Sequence, residues 1–593
     1  MRRAGAAANT ASLLVGAAAA LVSGISAIRF VHPLLLLDPD PAWRGPRLLL
    51  GLAVIGATAA CAGLAAAAAS FLGRTRVAVV SPRPFPWRRR TLIALAAGIV
   101  LAAAAARFVR LDSVPRALWI EDLTLIEPSL ALRGKPSDFA DAIRPAPSGV
   151  ARPYGTVGVL YLEAFRAVLV CLGRDAFAVR FLSALAGVLS CCTAMALARA
   201  LLPRGGGTLA GLAVAGMRWS LILSRWGYVA VVVAPMLDVA ALLLLRGRRR
   251  GSLTLAAAAG IVLGIGAHVY LAAWIGFAAL ILFAMWPRED RAPWRARAPV
   301  AVWLAAGFAV AAAPLFLLRE GRTVPYFARA ANQSLWREVR AARSPLPVLE
   351  AAADALAAPW WRADPSPWQD VPRPRLGWLL GVPVAIAVFR ALRSPRQELS
   401  GLLLAHAAAA GAASVASGSV MQPNGFRFAY LTTVTGVAAA SGVMALFAAS
   451  PPRSRRAAAL ALTGALAVSG ALALRTVFFE WAPRLEILDG FSGHDNLAAR
   501  TALAWEGLGS VEIAPPLVVS ATAVDLVRSV RRADRSPAAR GTVSLRQFRI
   551  VAAGTGPAPG ERIVERVADE NGRAWAVVIG RAAPPREEGR GER

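Results

Sequence analysis

The stretch Leu111-Asp112-Ser113-Val114-Pro115-Arg116-Ala117-Leu118-Trp119-Ile120-Glu121-Asp122 follows closely on an apolar run, residues 91 to 108, and ends in two adjacent carboxylates. A run of that length is enough to cross a bilayer, so the acidic pair falls at a membrane boundary. Charge is costly there, and acidic residues in such a place are functional suspects for that reason.

The rest of the chain has the same apolar character. Hydrophobic residues make up 57% of its 593 positions and charged residues only 17%, a composition too apolar for a string of soluble domains. Mostly apolar windows lie near 11–31, 48–72, 91–108, 176–202, 207–222, 227–246, 253–268, 271–286, 299–318, 377–392, 399–419, 426–449 and 456–475. Windows of this kind mark membrane helices. The expectation is an all-α polytopic membrane protein of about 13 transmembrane helices. The first window is too long and uninterrupted for a cleaved signal-peptide core and reads as an anchor.

A formal charge of +31 raises the question of nucleic acid. The arginines, however, sit in short clusters between apolar spans, and no basic stripe with interleaved aromatics occurs. The charge carries topology instead. Segment 154–172 is apolar enough to span but contains Glu163 and Arg166. If it lies along the surface rather than crossing, the basic loops 73–90, 246–250, 288–297, 390–396 and 453–456 all fall on one side, as the positive-inside rule requires. The other side then receives two long loops, 109–175 and 319–376, and the tail beyond 476. Glu121 and Asp122 are therefore expected outside the cytoplasm.

Three regions follow: 1–90, two helices and a basic cytoplasmic loop; 91–475, the main transmembrane module; and 476–593, a small extracytoplasmic α/β domain. The tail has mixed charge, short apolar runs at Pro516–Ser520, Arg549–Ala553 and Ala574–Ile579, and a helix-like stretch at Ala521–Arg532. Cys61, Cys171, Cys191 and Cys192 all lie in apolar runs without metal or disulfide spacing. They read as small packing residues.

Several stretches together resemble the bacterial membrane glycosyltransferases of GT-C fold, relatives of the protein O-mannosyltransferases and of the lipid A aminoarabinose transferase (glycosyltransferase family 39-like). The first-loop run 111–122 is one. Ser224-Arg225-Trp226-Gly227-Tyr228 is similar to the family's second-loop signature. Gly264-Ile265-Gly266-Ala267-His268-Val269-Tyr270 is similar to its turn between two helices. Pro423-Asn424-Gly425-Phe426-Arg427 and Phe478-Phe479-Glu480-Trp481-Ala482 complete the set. The resemblance covers most of residues 91–500.

The resemblance implies an inverting transferase that takes sugar from a polyprenyl-phosphate-linked donor to a protein, lipid or glycan acceptor in the bacterial inner membrane, with membrane lipids as surroundings and no nucleic acid. Asp122 or Glu121 would be the general base for the acceptor. The pair also offers oxygen ligands suited to a divalent cation, Mg²⁺ or Mn²⁺. Arg225 and Arg427 would hold the donor phosphate, for which a planar guanidinium is well shaped. His268 and Tyr270 would line the substrate cavity.

Two other readings stand beside it. Asp238, inside the window 227–246, suits a transporter of lipid-linked saccharide or another substrate, whose essential charges lie near the midplane. Val229 and Trp274, where relatives often carry arginine, suit an inactive relative acting as a scaffold.

Overall fold

The structure, a computed structural model, describes residues 85–112, 159–172, 176–287, 293–313, 373–416 and 428–484, four strands in the tail, and a few further positions. The windows 11–31 and 48–72, Glu121, Asp122, Arg427 and most of loop 319–376 lie outside the described residues.

Within the described part each remaining apolar window is helical. The helices are α1 (Arg89–Phe108), α2 (Val159–Leu172), α3 (Ala176–Leu201), α4 (Gly206–Ala215), α5 (Arg218–Trp226), α6 (Val233–Arg250), α7 (Leu253–Ala267), α8 (Ala272–Met285), α9 (Trp294–Ala312), α10 (Gly377–Arg393), α11 (Glu398–Ala416), α12 (Leu431–Ala449) and α13 (Arg455–Arg475). A 3₁₀ turn, Val229–Val232, leads into α6, and a π-turn, Thr476–Trp481, ends α13. Many of these helices are apolar on every side, the pattern of helices whose surroundings are hydrocarbon as well as protein. Large apolar side chains such as Leu101 (72% exposed) on α1 and Leu460 (64%) on α13 face outward, as lipid contact allows.

Six helices among the described residues are long and apolar enough to cross a membrane, or up to eight if each of two bent pairs is one span. The window 207–222 is one of these pairs, α4 and α5, bent by 57°. A Cβ on Gly216 at the bend would stand 2.6 Å from Gly470 Cα. The bare backbone of α4 thus meets the bare backbone of α13. The pair α10 and α11 turns by 106°. Helices α7 and α8, with 15 and 14 residues, fall short of the roughly 20 residues that a bilayer requires. Helix α2 has 14 residues, about 21 Å of rise, and is likewise too short to cross alone. Its buried face, Tyr161, Leu162, Phe165 and Leu169, belongs to the main core.

Close helix pairing rests on small residues. On α7 and α9, a Cβ added to Gly260 would run into the Leu304 carbonyl, and one added to Gly307 into the Ala257 carbonyl. Where lipid is as apolar as the side chains, backbone contact of this kind drives association. Cys191 and Cys192 on α3 are free thiols.

In the tail the described residues form a four-stranded sheet of β1 (Ser510–Ile513), β2 (Leu545–Ala552), β3 (Glu561–Ala568) and β4 (Ala574–Ala582), in the order β1-β2-β4-β3. β1 runs parallel to β2, and the other pairs are antiparallel. Strands β2 and β4 match two of the expected apolar runs. Strand β3, Glu-Arg-Ile-Val-Glu-Arg-Val-Ala, escaped that reading because its charges interrupt the apolar run. The expected run 516–520 and helix 521–532 lie outside the described residues.

Candidate active site at the root of the first loop

Four of the five motif stretches come together at one end of the bundle: Arg225 touches the first-loop root and Phe478, and Tyr228 joins the 264–270 turn. Helix α5 stops at Trp226 because Gly227 takes φ 91°, a left-handed cap conformation that glycine adopts without steric cost. The preceding turn buries Arg225 completely.

The Arg225 guanidinium reaches the carboxyl end of α1 and the chain beyond it. Nη1 donates to the carbonyls of Ala106 (2.8 Å) and Arg107 (3.1 Å). Nη2 donates to those of Val109 (2.9 Å), Arg110 (3.0 Å) and Val114 (3.1 Å). The ring of Phe478, in the π-turn, lies 4.6 Å from its carbon. The last carbonyls of a helix have no partner within it, and a cation is well placed against them. Direct contact of Arg225 with a donor phosphate would require it to leave these five acceptors.

Two more buried arginines stand behind it. Arg180 Nη1 on α3 donates to the Leu111 carbonyl at 2.9 Å. Arg107 Nη2 on α1 donates to Ser220 Oγ at 2.9 Å and to the Val214 carbonyl at 3.4 Å. These two were not singled out from the sequence, although a signal was there, since arginine inside an apolar span is rare and generally has a task. Gly187 of α3 makes room for Arg107 and for Ser224. A Cβ there would stand 2.5 Å from both Arg107 Nε and Ser224 Cβ.

The second-loop stretch continues into an aromatic group. Trp226 stacks on Tyr228 with centroids 5.5 Å apart, and the hydroxyls of Tyr228 and Tyr270 share a hydrogen bond of 2.7 Å. Tyr270 is thus joined to the second-loop stretch through Tyr228, a residue whose role the sequence alone does not show. His268, at the end of α7, has its Nε2 2.8 Å from the Ala311 carbonyl of α9. That contact joins two helices and gives His268 a structural task. Val229 and Trp274 are filled by packing: Val229 is buried in the turn, and Trp274 meets Phe308 edge-on at 4.7 Å.

Glu480, in the π-turn, pairs with Arg373 at 3.0 Å and with Arg475 at 3.9 Å. Arg218, at the start of α5, donates to the carbonyls of Arg373 (3.2 Å) and Pro374 (2.8 Å). The end of the second long loop is thereby tied to the same corner. Among the described residues no group of three or more His, Cys, Asp or Glu could hold a metal ion.

No family model matches the chain, and no curated protein matches it in sequence. Solved structures do match it in fold. ArnT from Cupriavidus metallidurans bound to undecaprenyl phosphate superposes with a TM-score of 0.50 at 12% identity, covering 84% of this chain and 100% of that one. The apo state of the same protein gives a TM-score of 0.51 at 13% identity, covering 84% and 99%. The oligosaccharyltransferase AglB from Archaeoglobus fulgidus matches at a TM-score of 0.46 and 14% identity, over 73% of this chain and 60% of that one. The chain has the GT-C fold.

Proposed function

We propose that this chain is an integral membrane glycosyltransferase of the inner membrane that moves a sugar from a polyprenyl-phosphate-linked donor to an extracytoplasmic protein, lipid or glycan acceptor, with inversion. The observation that carries the reading is the convergence of the first-loop root, the Ser224–Tyr228 stretch, the His268–Tyr270 turn and the Phe478–Ala482 stretch at one end of a GT-C bundle. The lipid phosphate in the ArnT structure supports the choice of donor.

In this reading the donor's lipid tail occupies hydrocarbon and its phosphate meets cations at the membrane boundary. Arg427 neutralises the charge that develops on the leaving phosphate. One of Asp122 and Glu121 accepts the acceptor's proton as the new glycosidic bond forms. Tyr270 and His268 lie in the wall of the cavity. The neighbouring carboxylate orients the acceptor or holds a divalent cation. Comparing transfer with and without a chelator tests that last role.

The experiment that tests the reading is transfer by the purified protein in detergent or liposomes, supplied with radiolabelled polyprenyl-phosphate sugars and an envelope extract as acceptor. Label should appear in one acceptor class, and mass spectrometry of envelope glycans with and without the protein should show the same sugar missing. Absence of transfer from every polyprenyl-phosphate donor, with an unchanged envelope, would refute it.

The transporter reading rests on Asp238. That residue is wholly buried on α6, and its Oδ2 accepts a hydrogen bond of 2.7 Å from Thr193 on α3. Such a tie gives an intramembrane carboxyl a structural reason. Asp238→Leu should therefore lower thermal stability by about 0.5–1.5 kcal/mol for the hydrogen bond lost, since Thr193 Oγ1 keeps the Ser190 carbonyl as an acceptor at 3.3 Å, while transfer per folded molecule stays within twofold. Loss of activity in a fully folded variant would return Asp238 to the functional residues.

Sidedness has its own check. In a chain lacking native cysteines, Glu350→Cys should react with an impermeant maleimide from outside the cell. Protection until the membrane is opened would reverse the assignment of the long loops.

A further inference from the structure

We infer that Arg225 is a positioning residue, a clamp that fixes residues 106–114, the root of the loop whose sequence carries the acidic pair. The inference rests on the proposed glycosyl transfer for its catalytic consequence, but its geometry stands independently.

The clamp is visible in the backbone. Between residues 106 and 114, the carbonyls of Ala106, Arg107, Val109, Arg110 and Val114 go to Arg225, and that of Leu111 goes to Arg180. One guanidinium on α5 and one on α3 thus gather a stretch more than 60 positions away in sequence. The stretch is not relaxed. Arg110 sits at φ 53°, in the left-handed region that non-glycine residues seldom occupy and that persists only where surrounding contacts impose it. Arg225 and Arg180 hold it together with the backbone hydrogen bonds from Leu111 N–H to the Phe108 carbonyl and from Val114 N–H to the Arg110 carbonyl.

The clamp is itself held. Ser183 Oγ donates to the Ser224 carbonyl at 2.9 Å, fixing the turn of α5 that bears Arg225. Arg107 joins α1 to Ser220 on the same helix. Phe478 closes over the guanidinium face. Each terminal nitrogen carries two N–H groups, and each has at least two acceptors. Arg225 acts through the loop, seven residues upstream of Glu121 at its last contact, Val114.

Lysine cannot replace such a group, because a compact ammonium lacks the planar fan of donors that spans several carbonyls at once. Displacing a catalytic group by about 1 Å costs on the order of 10²-fold in rate. Arg225→Lys and Arg225→Gln are therefore expected to lower kcat by about 10- to 100-fold alike. Affinity for undecaprenyl phosphate, titrated directly, should stay within threefold of wild type.

A second readout needs no turnover. In a background with Cys61, Cys171, Cys191 and Cys192 replaced by alanine, maleimide labelling of Leu118→Cys should quicken severalfold when Arg225→Lys is added. Should the Arg225 variants fail to fold, Phe478→Leu decides instead: faster labelling supports the clamp, and unchanged labelling with unchanged kcat overturns it. Near-normal kcat in Arg225→Lys, or loss of undecaprenyl phosphate affinity in Arg225→Gln with unaltered labelling, also overturns it. If wild type transfers no sugar but labelling quickens, the clamp stands and the enzymatic reading falls. If transfer is robust and the variants change neither kcat nor labelling, the clamp falls alone.

Discussion

Replacing Asp122 with asparagine is expected to lower sugar transfer by about 10²- to 10⁴-fold, the usual contribution of a positioned general base. Asparagine keeps the size and one acceptor oxygen, so expression, membrane insertion and undecaprenyl phosphate binding should be unchanged. The loss should fall on kcat, because the proton is taken in the transition state rather than in the bound complex. Glu121→Gln serves as the paired measurement. If Asp122 is the base and Glu121 orients the acceptor, Glu121→Gln should raise the acceptor KM and lower kcat far less. The opposite split would exchange the two roles. Full activity in both variants would remove the pair from the chemistry altogether and leave the first loop a binding element.

The second large effect is expected in the packing of the bundle. Gly307→Val should destabilise the bundle by an amount at the upper end of roughly 1–3 kcal/mol, the range for forcing extra atoms into a packed interior. A Cβ at Gly307 meets the carbonyl of Ala257, and its counterpart on α7, Gly260, faces the carbonyl of Leu304. Backbone cannot swing aside as the end of a long side chain can. The helices must part, and they then lose contact along their whole crossing. Valine adds a second loss, since its branched Cβ restricts χ1 in a helix. Gly98→Ala on α1, where nothing lies within 4 Å of the new Cβ, is the control. It should be neutral or stabilising by up to about 1 kcal/mol through helix propensity. Thermal unfolding in detergent, followed by the loss of monodisperse protein, reads both. Equal stability of Gly307→Val and wild type would mean that α7 and α9 do not meet as described.

Membrane character and the positions of the described helices were legible in the chain because a hydrocarbon solvent leaves a plain signature: long apolar runs, cut by arginine clusters. The motif order was also legible, and it pointed to the GT-C fold that the ArnT superposition bears out. What the windows did not record is tertiary. Residues 207–222 read as one span, yet α4 and α5 bend at Gly216 because α13 crosses there backbone to backbone. Composition records that Gly216 and Gly470 are small, but not that they face each other. The helices in windows 253–268 and 271–286 have 15 and 14 residues, a length that apolar composition does not record.

For the site, the sequence by itself determined the order of the candidate residues along the chain: two acids, then Arg225, His268, Tyr270 and Arg427. Their partners are a matter of three dimensions. A side chain's hydrogen bonds depend on which backbone is brought opposite it, and the carbonyls of residues 106–114 lie over a hundred positions from Arg225 in the chain. Only the tertiary structure decided that Arg225 spends its N–H groups on the root of the first loop, that Arg107 and Arg180 stand behind it, and that Tyr270 reaches that corner through the hydroxyl of Tyr228. The physical reason is that buried carbonyls beyond a helix end must find donors, and the nearest donors in this fold come from helices that the sequence places far away.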